Sequence, residues 1–385
     1  MRLLIASTLD SRQPFGPFTR PFYLGMYLTR QFEVCQLGLD CSAVDYTKAV
    51  SIGQRGLKPY RKALQYCIED FRPDIIYAQE TLPSFAALTA SNPAHRKIPL
   101  IFDFHTLSAF EYWTQFPSAP NKLWQLRHIA KTYLAQGSLI YSKHPIISAG
   151  QATVDLIPKI YPFSPSPLHS IGNGVTEDLI ALSQASYPDP FTSLRPHKIV
   201  AVIAPKASDY EFPSNDMSVE MTLEVAQQLE GKQPIHFVII GRDSTSSAKT
   251  IPSNVTFTGF LPTRAAFLAH LAHIDIGLLP FPKVAVAGGA RNKALDYFAC
   301  KKLVISTSEG LRGLESFQPY ALVTQDTAQD IADTITTACL NSDRYQPLTN
   351  AAHQLIQHNH SWMAMADQVA TVLKRQVQRS ASKKH

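Results

Sequence analysis

Short apolar runs alternate with segments of helical periodicity along most of the chain. In the first half, the runs that predict buried strands are 2–7, 32–37, 74–78, 99–104 and 138–142. In the second half they are 198–203, 235–243, 254–260, 274–279, 303–305 and, more weakly, 321–324. Strands that alternate with helices at this spacing are typical of parallel sheets covered by helices on both faces. The sequence therefore predicts an α/β protein with two Rossmann-like, doubly wound parallel-sheet domains.

Predicted helices lie between the strands, and one segment outside both kinds of element is a candidate for the linker between the domains. Apolar periodicity predicts helices over 61–70, 84–91, 124–136, 146–157, 217–230, 264–272, 328–340 and 348–374, the last with a break near 359–362. The segment 181–197 contains three prolines and reads as the linker between domains. We therefore expect an N-terminal domain at 1–190, a second domain at 191–362 and a C-terminal helix with a basic tail at 363–385.

Composition narrows the class of protein without identifying it. A chain of 385 residues is long for a single core, which agrees with two domains. The five cysteines are scattered, without the spacing of a metal site, and no apolar run is long enough to cross a membrane. The first residues read as a strand rather than a signal peptide, so we expect a cytoplasmic protein.

The formal net charge of +6 suits an anionic partner such as a nucleotide or an anionic lipid surface. Part of this charge lies in the C-terminal tail, where a solvated basic segment is an equally good interpretation. The sequence carries no aromatic-basic RNA-binding motif and no recognisable helix-turn-helix, so nucleic acid is not an expected partner.

The stretch 286–306 is the strongest candidate for a ligand site. Gly288 and Gly289 allow close approach of the backbone, and the helix that follows would direct unpaired N–H groups and its positive dipole end at an anion. Asn292 and Lys293 begin that helix, and Lys293 adds a positive charge. Asp296 follows on a neighbouring face, where its carboxylate could accept hydrogen bonds from a diol. This combination predicts a site for a nucleotide diphosphate joined to a ribose.

Further candidates follow the ends of predicted strands, where ligands bind in open parallel sheets. His105 comes directly after the strand at 99–104 and suits contact with a phosphate or a sugar hydroxyl. The others are Gly16, Arg20 and Glu80 in the first half and Lys206, Arg242 and Gly259 in the second. Arg20, Lys206 and Arg242 fit ordinary surface charges almost as well.

The order of these elements resembles the GT-B glycosyltransferases, specifically the retaining nucleotide-sugar enzymes of glycosyltransferase family four. The resemblance covers nearly the whole chain and rests on 71–78, 102–105, 171–175, 237–241, 254–259, the block 291–299 and the late pair 361–362. It implies two domains that face a cleft, with a last helix that crosses back to the N-terminal domain.

The resemblance also implies residue roles. It implies that His105 lies beside the transferring sugar and that Asp296 holds the donor ribose. It further implies that amides near Gly288 and Gly289 contact the donor and that the loop with Gly16 approaches phosphate and acceptor. Lys206 is the expected diphosphate clamp, with Arg242 or Lys293 as substitutes. The sequence departs from the family at Gly288, where a glutamate is usual, and at Asp296, which is one methylene shorter than the usual glutamate.

The expected reaction is transfer of a hexose from a UDP- or GDP-sugar to a hydroxyl, in polysaccharide, glycolipid or other glycoconjugate synthesis. Retention of anomeric configuration follows from the resemblance, and since the sequence has no Asp-x-Asp motif, neither a metal nor any other cofactor is expected. Two alternatives remain: a nucleotide-sugar epimerase acting at carbon 2, and a catalytically degenerate protein that binds a nucleotide sugar or a partner enzyme.

The sequence does not identify the acceptor. A glycan, a lipid-linked sugar and a small molecule all remain as alternatives. Trp113 lies in an aromatic segment, 110–124, that could contact an acceptor, together with Arg20 and Glu80. Aromatic residues of this kind also pack under loops. Peripheral contact with the inner face of a membrane is a further possibility.

Overall fold

The computed structural model describes residues 1–12, 18–90, 97–114, 116–118, 121–206, 213–244, 251–285 and 290–382. The chain forms two compact units. The first consists of Met1–Gly174 and Trp362–His385, and the second of Val175–Ser361.

The first unit is a parallel sheet of seven strands in the order β3-β2-β1-β4-β5-β6-β7. Its strands are β1 Arg2–Ala6, β2 Glu33–Gly38, β3 Lys48–Ser51, β4 Ile75–Gln79, β5 Leu100–Phe104, β6 Ile146–Ser148 and β7 Leu168–Ser170. Its helices are α1 Thr19–Leu28, α2 Leu57–Phe71, α3 Thr81–Leu88, α4 Ser108–Thr114, α5 Lys122–Ile140 and α6 Gln151–Ile160, and the C-terminal helix α13 Trp362–Ser382 belongs to the same unit.

Alternate side chains of each central strand fill two separate cores. In β1, Leu4 and Ala6 pack with α2 and α3 on one face, while Leu3 and Ile5 pack on the other. The second face is covered by α1 and by α13, whose apolar residues Trp362, Met365, Ala366, Val369, Ala370 and Leu373 are all buried. A strand buried on both faces reads as a continuous apolar run, which is why the sequence revealed these strands clearly.

The second unit is a parallel sheet of six strands in the order β10-β9-β8-β11-β12-β13. Its strands are β8 Lys198–Ile203, β9 Ile235–Ile240, β10 Val255–Phe257, β11 Ile276–Leu279, β12 Leu303–Thr307 and β13 Leu322–Thr324. Its helices are α7 Glu177–Ile180, α8 Pro213–Leu229, α9 Arg264–His273, α10 Asn292–Ala299, α11 Ala328–Leu340 and α12 Gln346–Asn359.

Helix α10 is fixed to this sheet by one buried tyrosine. The Tyr297 hydroxyl donates to the Ala201 carbonyl and accepts from the Ile203 N–H, both at 2.9 Å. Its ring lies over Gly277 of β11, where an added Cβ would stand 2.3 Å from the ring. Because the helix cannot shift without breaking these contacts, the orientation of the other α10 side chains is set by the sheet.

The doubly wound α/β architecture is confirmed, and one region of the strand prediction is wrong. The run 138–142, predicted as a strand, contains the end of α5, and the strand lies instead at Ile146–Ser148, where a helix was predicted. Leu139 and Ile140 are fully buried in the helix. A short apolar run fits a buried helix end as well as a strand, so periodicity could not separate them. The short strands β3 and β7, at the two edges of the sheet, were not predicted.

The boundary between the units lies earlier than the expected 190/191. The proline-rich segment belongs to the second unit, because Leu179, Leu182 and Phe191 are buried in its core. The return of the chain at Trp362 agrees with the expected break near 359–362.

Arg20 lies inside the first unit and is not available to line a cleft. Its side chain is 2% exposed and forms an ion pair with the fully buried Asp103, at 2.9 Å. Its Nη1 donates to the Gly172 carbonyl at 2.7 Å and to the Asn173 Oδ1 at 3.2 Å. Tyr77 donates from its hydroxyl to the same carboxylate. Arg20, which was predicted to contact the acceptor, therefore links α1 to β5 and to the loop after β7.

Arg20→Met is expected to destabilise the first unit by roughly 3–5 kcal/mol, because it leaves the Asp103 carboxylate buried without its cation. Urea unfolding, followed by fluorescence, measures this loss. The control is Arg12→Met, whose guanidinium pairs with Asp10 at 2.8 Å but is 63% exposed. That change should have little effect on stability, because solvent screens an exposed pair. Equal losses in the two variants would contradict a structural role for the buried pair.

Candidate active site

The predicted residues of the second unit gather beyond the carboxyl ends of its strands. Lys206 follows β8, Arg242 follows β9, and Asn292 and Lys293 begin α10 in the connection from β11 to β12. Parallel strands bring these ends to one edge of the sheet, which is where ligands bind in open α/β sheets.

Arg242 is the most deeply buried cation at this edge. Its side chain is 2% exposed, and its Nη2 lies 2.7 Å from Asp216 Oδ1, near the beginning of α8. Within the described parts of the chain, its Nε and Nη1 are buried and have no hydrogen-bond partner. Buried donors without partners are costly, so this guanidinium has unused capacity for an anion.

The first turn of α10 presents two further polar groups. Lys293 Nζ donates to Asn215 Oδ1 at 2.7 Å and lies 5.1 Å from the centre of the Phe281 ring. Burial lowers the pKa of Lys293 well below its ordinary value, and the charges of Arg291 and Arg242 act in the same direction. Asn292 Oδ1 is buried and, among the described residues, accepts no hydrogen bond. An anion bound here would raise the pKa of Lys293 back towards its ordinary value.

Asp296 lies one turn further along α10, among charged groups from α7 and α9. Burial raises its pKa to about 6, an effect that Asp178 reinforces and that Arg264 and Lys293 oppose. Arg264 is itself held by Asp178, through hydrogen bonds of 2.9 Å to each carboxylate oxygen, and by Thr176 Oγ1 at 2.7 Å. Asp296 is therefore a largely desolvated carboxyl group. Its ionisation is unfavourable unless a ligand supplies hydrogen-bond donors.

Arg291 organises the loop before α10, and the sequence did not single it out as a site residue. Its guanidinium stacks on Phe281 at 3.5 Å from the ring centre and donates to the Ala285 carbonyl at 2.6 Å. It also pairs with the buried carboxylate of Glu309 at 3.4 Å. Asn215 and Asp216 were missed as well, and the only available signal was their position among the polar residues that begin α8.

The remaining candidates of the second unit fall into two groups. Gly259 adopts φ +67°, and its N–H donates to the Arg242 carbonyl at 3.0 Å, so it shapes the turn that holds Arg242. Lys206 is exposed, and in the described part of the chain its ammonium forms no salt bridge. Gly288 and Gly289, like Gly16 of the first unit, lie outside the described residues.

In the first unit, two predicted residues meet. His105 follows β5 and Glu80 follows the neighbouring β4, and Nδ1 of His105 lies 2.6 Å from Oε1 of Glu80. The two side chains are 10% and 19% exposed. Nε2 of the imidazole is buried and lacks a hydrogen-bond partner among the described residues. Trp113 lies on α4, is 58% exposed, and stacks on Phe116 with centroids 6.0 Å apart.

The described residues contain neither a cluster of metal ligands nor a membrane-spanning helix. No group of three or more His, Cys, Asp or Glu side chains there is arranged to hold a metal ion. No helix there is both long and apolar enough to cross a membrane.

The arrangement in the second unit suits an anionic ligand that also carries hydroxyl groups. Arg242, Lys293 and the N–H groups at the beginning of α10 can stabilise phosphate oxygens, and the Asp296 carboxylate can accept from a diol. In the first unit, the imidazole of His105 offers one nitrogen to a ligand while the other is held by a carboxylate.

Two family models match the chain. One match lies almost entirely within the first unit, and the other lies within the second. Residues 48–179 match the model described as Glycosyltransferase Family 4, and residues 211–341 match the model described as Glycosyl transferases group 1. No curated protein sequence matches this chain.

Solved structures with this fold are numerous, although their sequences are distant. Sucrose-phosphate synthase from Thermosynechococcus elongatus superposes with a TM-score of 0.72 at 14% identity, covering 97% of this chain and 98% of its own. The Anabaena protein HepE in complex with UDP and glucose gives 0.73 at 14% identity, covering 97% and 100%. An α,α-trehalose-phosphate synthase (UDP-forming) from Burkholderia xenovorans gives 0.68 at 12% identity, covering 97% and 100%.

At such identities the superpositions show the fold alone, and the family models carry the assignment. The chain is a glycosyltransferase of the GT-B fold, built from a Glycosyltransferase Family 4 domain and a Glycosyl transferases group 1 domain.

Proposed function

We propose that the protein transfers a hexose from a nucleotide diphosphate sugar to a hydroxyl acceptor, with retention at the anomeric carbon and without a metal ion. The observation that carries this proposal is the buried guanidinium of Arg242, which has two donors without a partner among the described residues and lies beside the first turn of α10. A diphosphate is the ligand class that best satisfies donors of this kind at a helix N-terminus.

The leaving group in this reaction is the nucleoside diphosphate, so the charge that develops in the transition state lies on phosphate oxygens. Arg242, Lys293 and the helix amides would stabilise that charge, and they would do so without reorganising, because their positions are fixed by Asp216, Asn215 and Tyr297. The acceptor hydroxyl would attack on the side of the leaving group and pass its proton to a phosphate oxygen. His105 would orient the sugar.

UDP-glucose is the first donor to test, because HepE was crystallised with UDP and with UDP-glucose. A GDP- or ADP-sugar is the alternative. The product would enter a polysaccharide, a glycolipid or another glycoconjugate.

We expect the correct donor to raise the melting temperature, since a ligand at one hundred times its Kd stabilises the folded state by about 2.7 kcal/mol. A panel of UDP-, GDP- and ADP-sugars is screened by thermal shift, and turnover is followed by nucleotide release in excess EDTA. Proton NMR at early times identifies the first-formed anomer of the released sugar, which should match the donor.

The outcomes of this screen separate the competing functions. A nucleotide sugar changed at carbon 2 would instead identify an epimerase, and binding without turnover over any acceptor would identify a degenerate binding protein. Activity that EDTA abolishes would contradict the metal-independent mechanism. Failure of every donor to bind would overturn the proposal as a whole.

Asp296→Asn separates a ligand-binding carboxylate from a structural one. A raised pKa means that the carboxyl of Asp296 favours folding while it is protonated, and this contribution is lost as pH rises from about 4 through about 6. Asparagine does not ionise, so at pH 7 the variant should be more stable than the wild type by on the order of 2 kcal/mol. Donor binding should nevertheless weaken about tenfold, because the amide is a poorer acceptor for a ribose diol.

Urea unfolding between pH 4 and 8 and calorimetric titration of the donor measure the two effects. Asp296→Glu, which restores the residue usual in the family, should retain binding. Asp333→Asn, at an exposed carboxyl of α11, is the matched control and should change neither quantity. A variant that loses stability and keeps its donor affinity would contradict the assignment of Asp296.

A membrane surface is a second partner that one observation favours. Leu123, Trp124 and Leu134 on the outer side of α5 are 69%, 61% and 68% exposed, and Arg127 and Lys131 are exposed between them. The sequence from 112 to 154 contains no Asp or Glu. Exposed apolar and basic side chains on one helix, without acidic ones, are the combination that binds an anionic lipid surface. We include peripheral membrane contact through α5 in the proposal.

The purified protein should float with vesicles that contain anionic phosphatidylglycerol and stay behind with neutral phosphatidylcholine. Reversing two charges, Arg127→Glu with Lys131→Glu, should abolish flotation, since each basic residue near such a surface contributes about 1 kcal/mol. The control reverses Lys58 and Lys62, which are exposed on α2 of the same unit. Equal loss in both double variants would show a general charge effect rather than a docking face.

A further inference from the structure

Glu80 occupies a backbone conformation that its own residue type disfavours. It has φ +69° and ψ 165°, a region that is populated essentially by glycine. The position precedes α3, where its carbonyl accepts from the Ser84 N–H at 3.1 Å and its N–H donates to the Asp103 carbonyl at 2.8 Å. A glycine would satisfy both backbone bonds without strain, so the fold alone gives no reason for a glutamate here.

The side chain supplies the missing reason. Its carboxylate reaches the imidazole of His105, with Oε1 at 2.6 Å from Nδ1. The other nitrogen, Nε2, is buried and, in the described part of the chain, has no hydrogen-bond partner. A carboxylate can only accept, so it holds the proton on Nδ1 and leaves Nε2 as a bare acceptor when the ring is neutral.

Neighbouring groups leave this pairing intact. The carboxylate of Glu111 on α4 accepts from Thr106 Oγ1 at 3.0 Å, so that side chain is held by the residue after His105. Tyr112 has a pKa raised by burial and by the charges of Glu111 and Glu80. The phenol is therefore neutral around pH 7 and does not compete as an anion for the imidazole N–H.

We propose that Glu80 is a positioning residue: it fixes the orientation and tautomer of His105 so that Nε2 accepts a hydrogen bond from a hydroxyl of the transferring sugar. This inference rests on the proposed function for the identity of the ligand, whereas the pairing itself is independent of it. It also reassigns Glu80, which the sequence placed among the acceptor contacts.

Glu80→Gly tests the inference because it removes the carboxylate and relieves the strain in a single change. We expect the melting temperature to rise by about 2–4 °C. We expect turnover of the donor to fall about tenfold or more, since a loosely held reacting group costs rate through misplacement. Substitution of a residue with a purely structural role seldom raises stability while it lowers activity. Glu80→Gln, which keeps an acceptor oxygen at the same length, should recover most of the rate.

Arg72→Gly is the matched control. Arg72 ends α2 in the left-handed region, with φ +52°, and contributes to neither candidate site. The same relief of strain should raise its melting temperature and leave turnover unchanged. A loss of turnover in this variant would show that the effect of Glu80→Gly is not specific to the carboxylate.

A spectroscopic measurement tests the pairing without any donor. Nitrogen-15 NMR of the wild type should show His105 with its proton on Nδ1, the signals being assigned by their absence in His105→Gln. In Glu80→Gly the proton should shift towards Nε2. If no nucleotide sugar is turned over, the proposed function fails while the tautomer measurement still stands. An unchanged tautomer, or a melting temperature that falls in Glu80→Gly, would overturn the positioning role.

Discussion

Burial of charge at the carboxyl ends of parallel strands is the constraint on which the rest of this structure depends. Strands covered on both faces leave only their ends open to polar chemistry, and the chain places Arg20, Asp103 and His105 at one sheet and Arg242, Lys293 and Asp296 at the other. Removal of a charge from water is expensive unless partners replace the water. How completely each charge is partnered therefore separates structural residues from those available to a ligand.

Arg20 and Arg242 illustrate the difference. Both guanidiniums are 2% exposed and both pair with an aspartate. Arg20 is also bound by the Gly172 carbonyl and by Asn173, and its carboxylate is shared with Tyr77, so its interactions stabilise the fold. Arg242 keeps two buried donors without a partner among the described residues. Stability and function compete at such places, and the raised pKa of Asp296 and the strained backbone of Glu80 are further costs of the same kind.

Whether each element was predicted correctly depended on the physical cause of its sequence pattern. Central strands were found because burial on both faces imposes a continuous apolar run, whereas the edge strands β3 and β7 are short and were missed. The run at 138–142 was assigned wrongly because a buried helix end has the same composition as a strand. The proline-rich segment suggested a boundary at 190/191, but Leu182 and Phe191 are buried in the core of the second unit. The prolines give no information about the unit against which these side chains pack.

The sequence by itself determined the alternation of strands and helices, the two parallel-sheet domains and the positions of polar residues after strand ends, because periodicity and local backbone preferences depend on neighbours along the chain. Only the tertiary structure decided that Arg20 is buried, that Asn215 and Asp216 hold Lys293 and Arg242, and that Glu80 meets His105. These pairings join residues from different strands and helices. Their partners are selected by the register of the sheet and by the exclusion of water, and neither quantity can be read from a linear pattern.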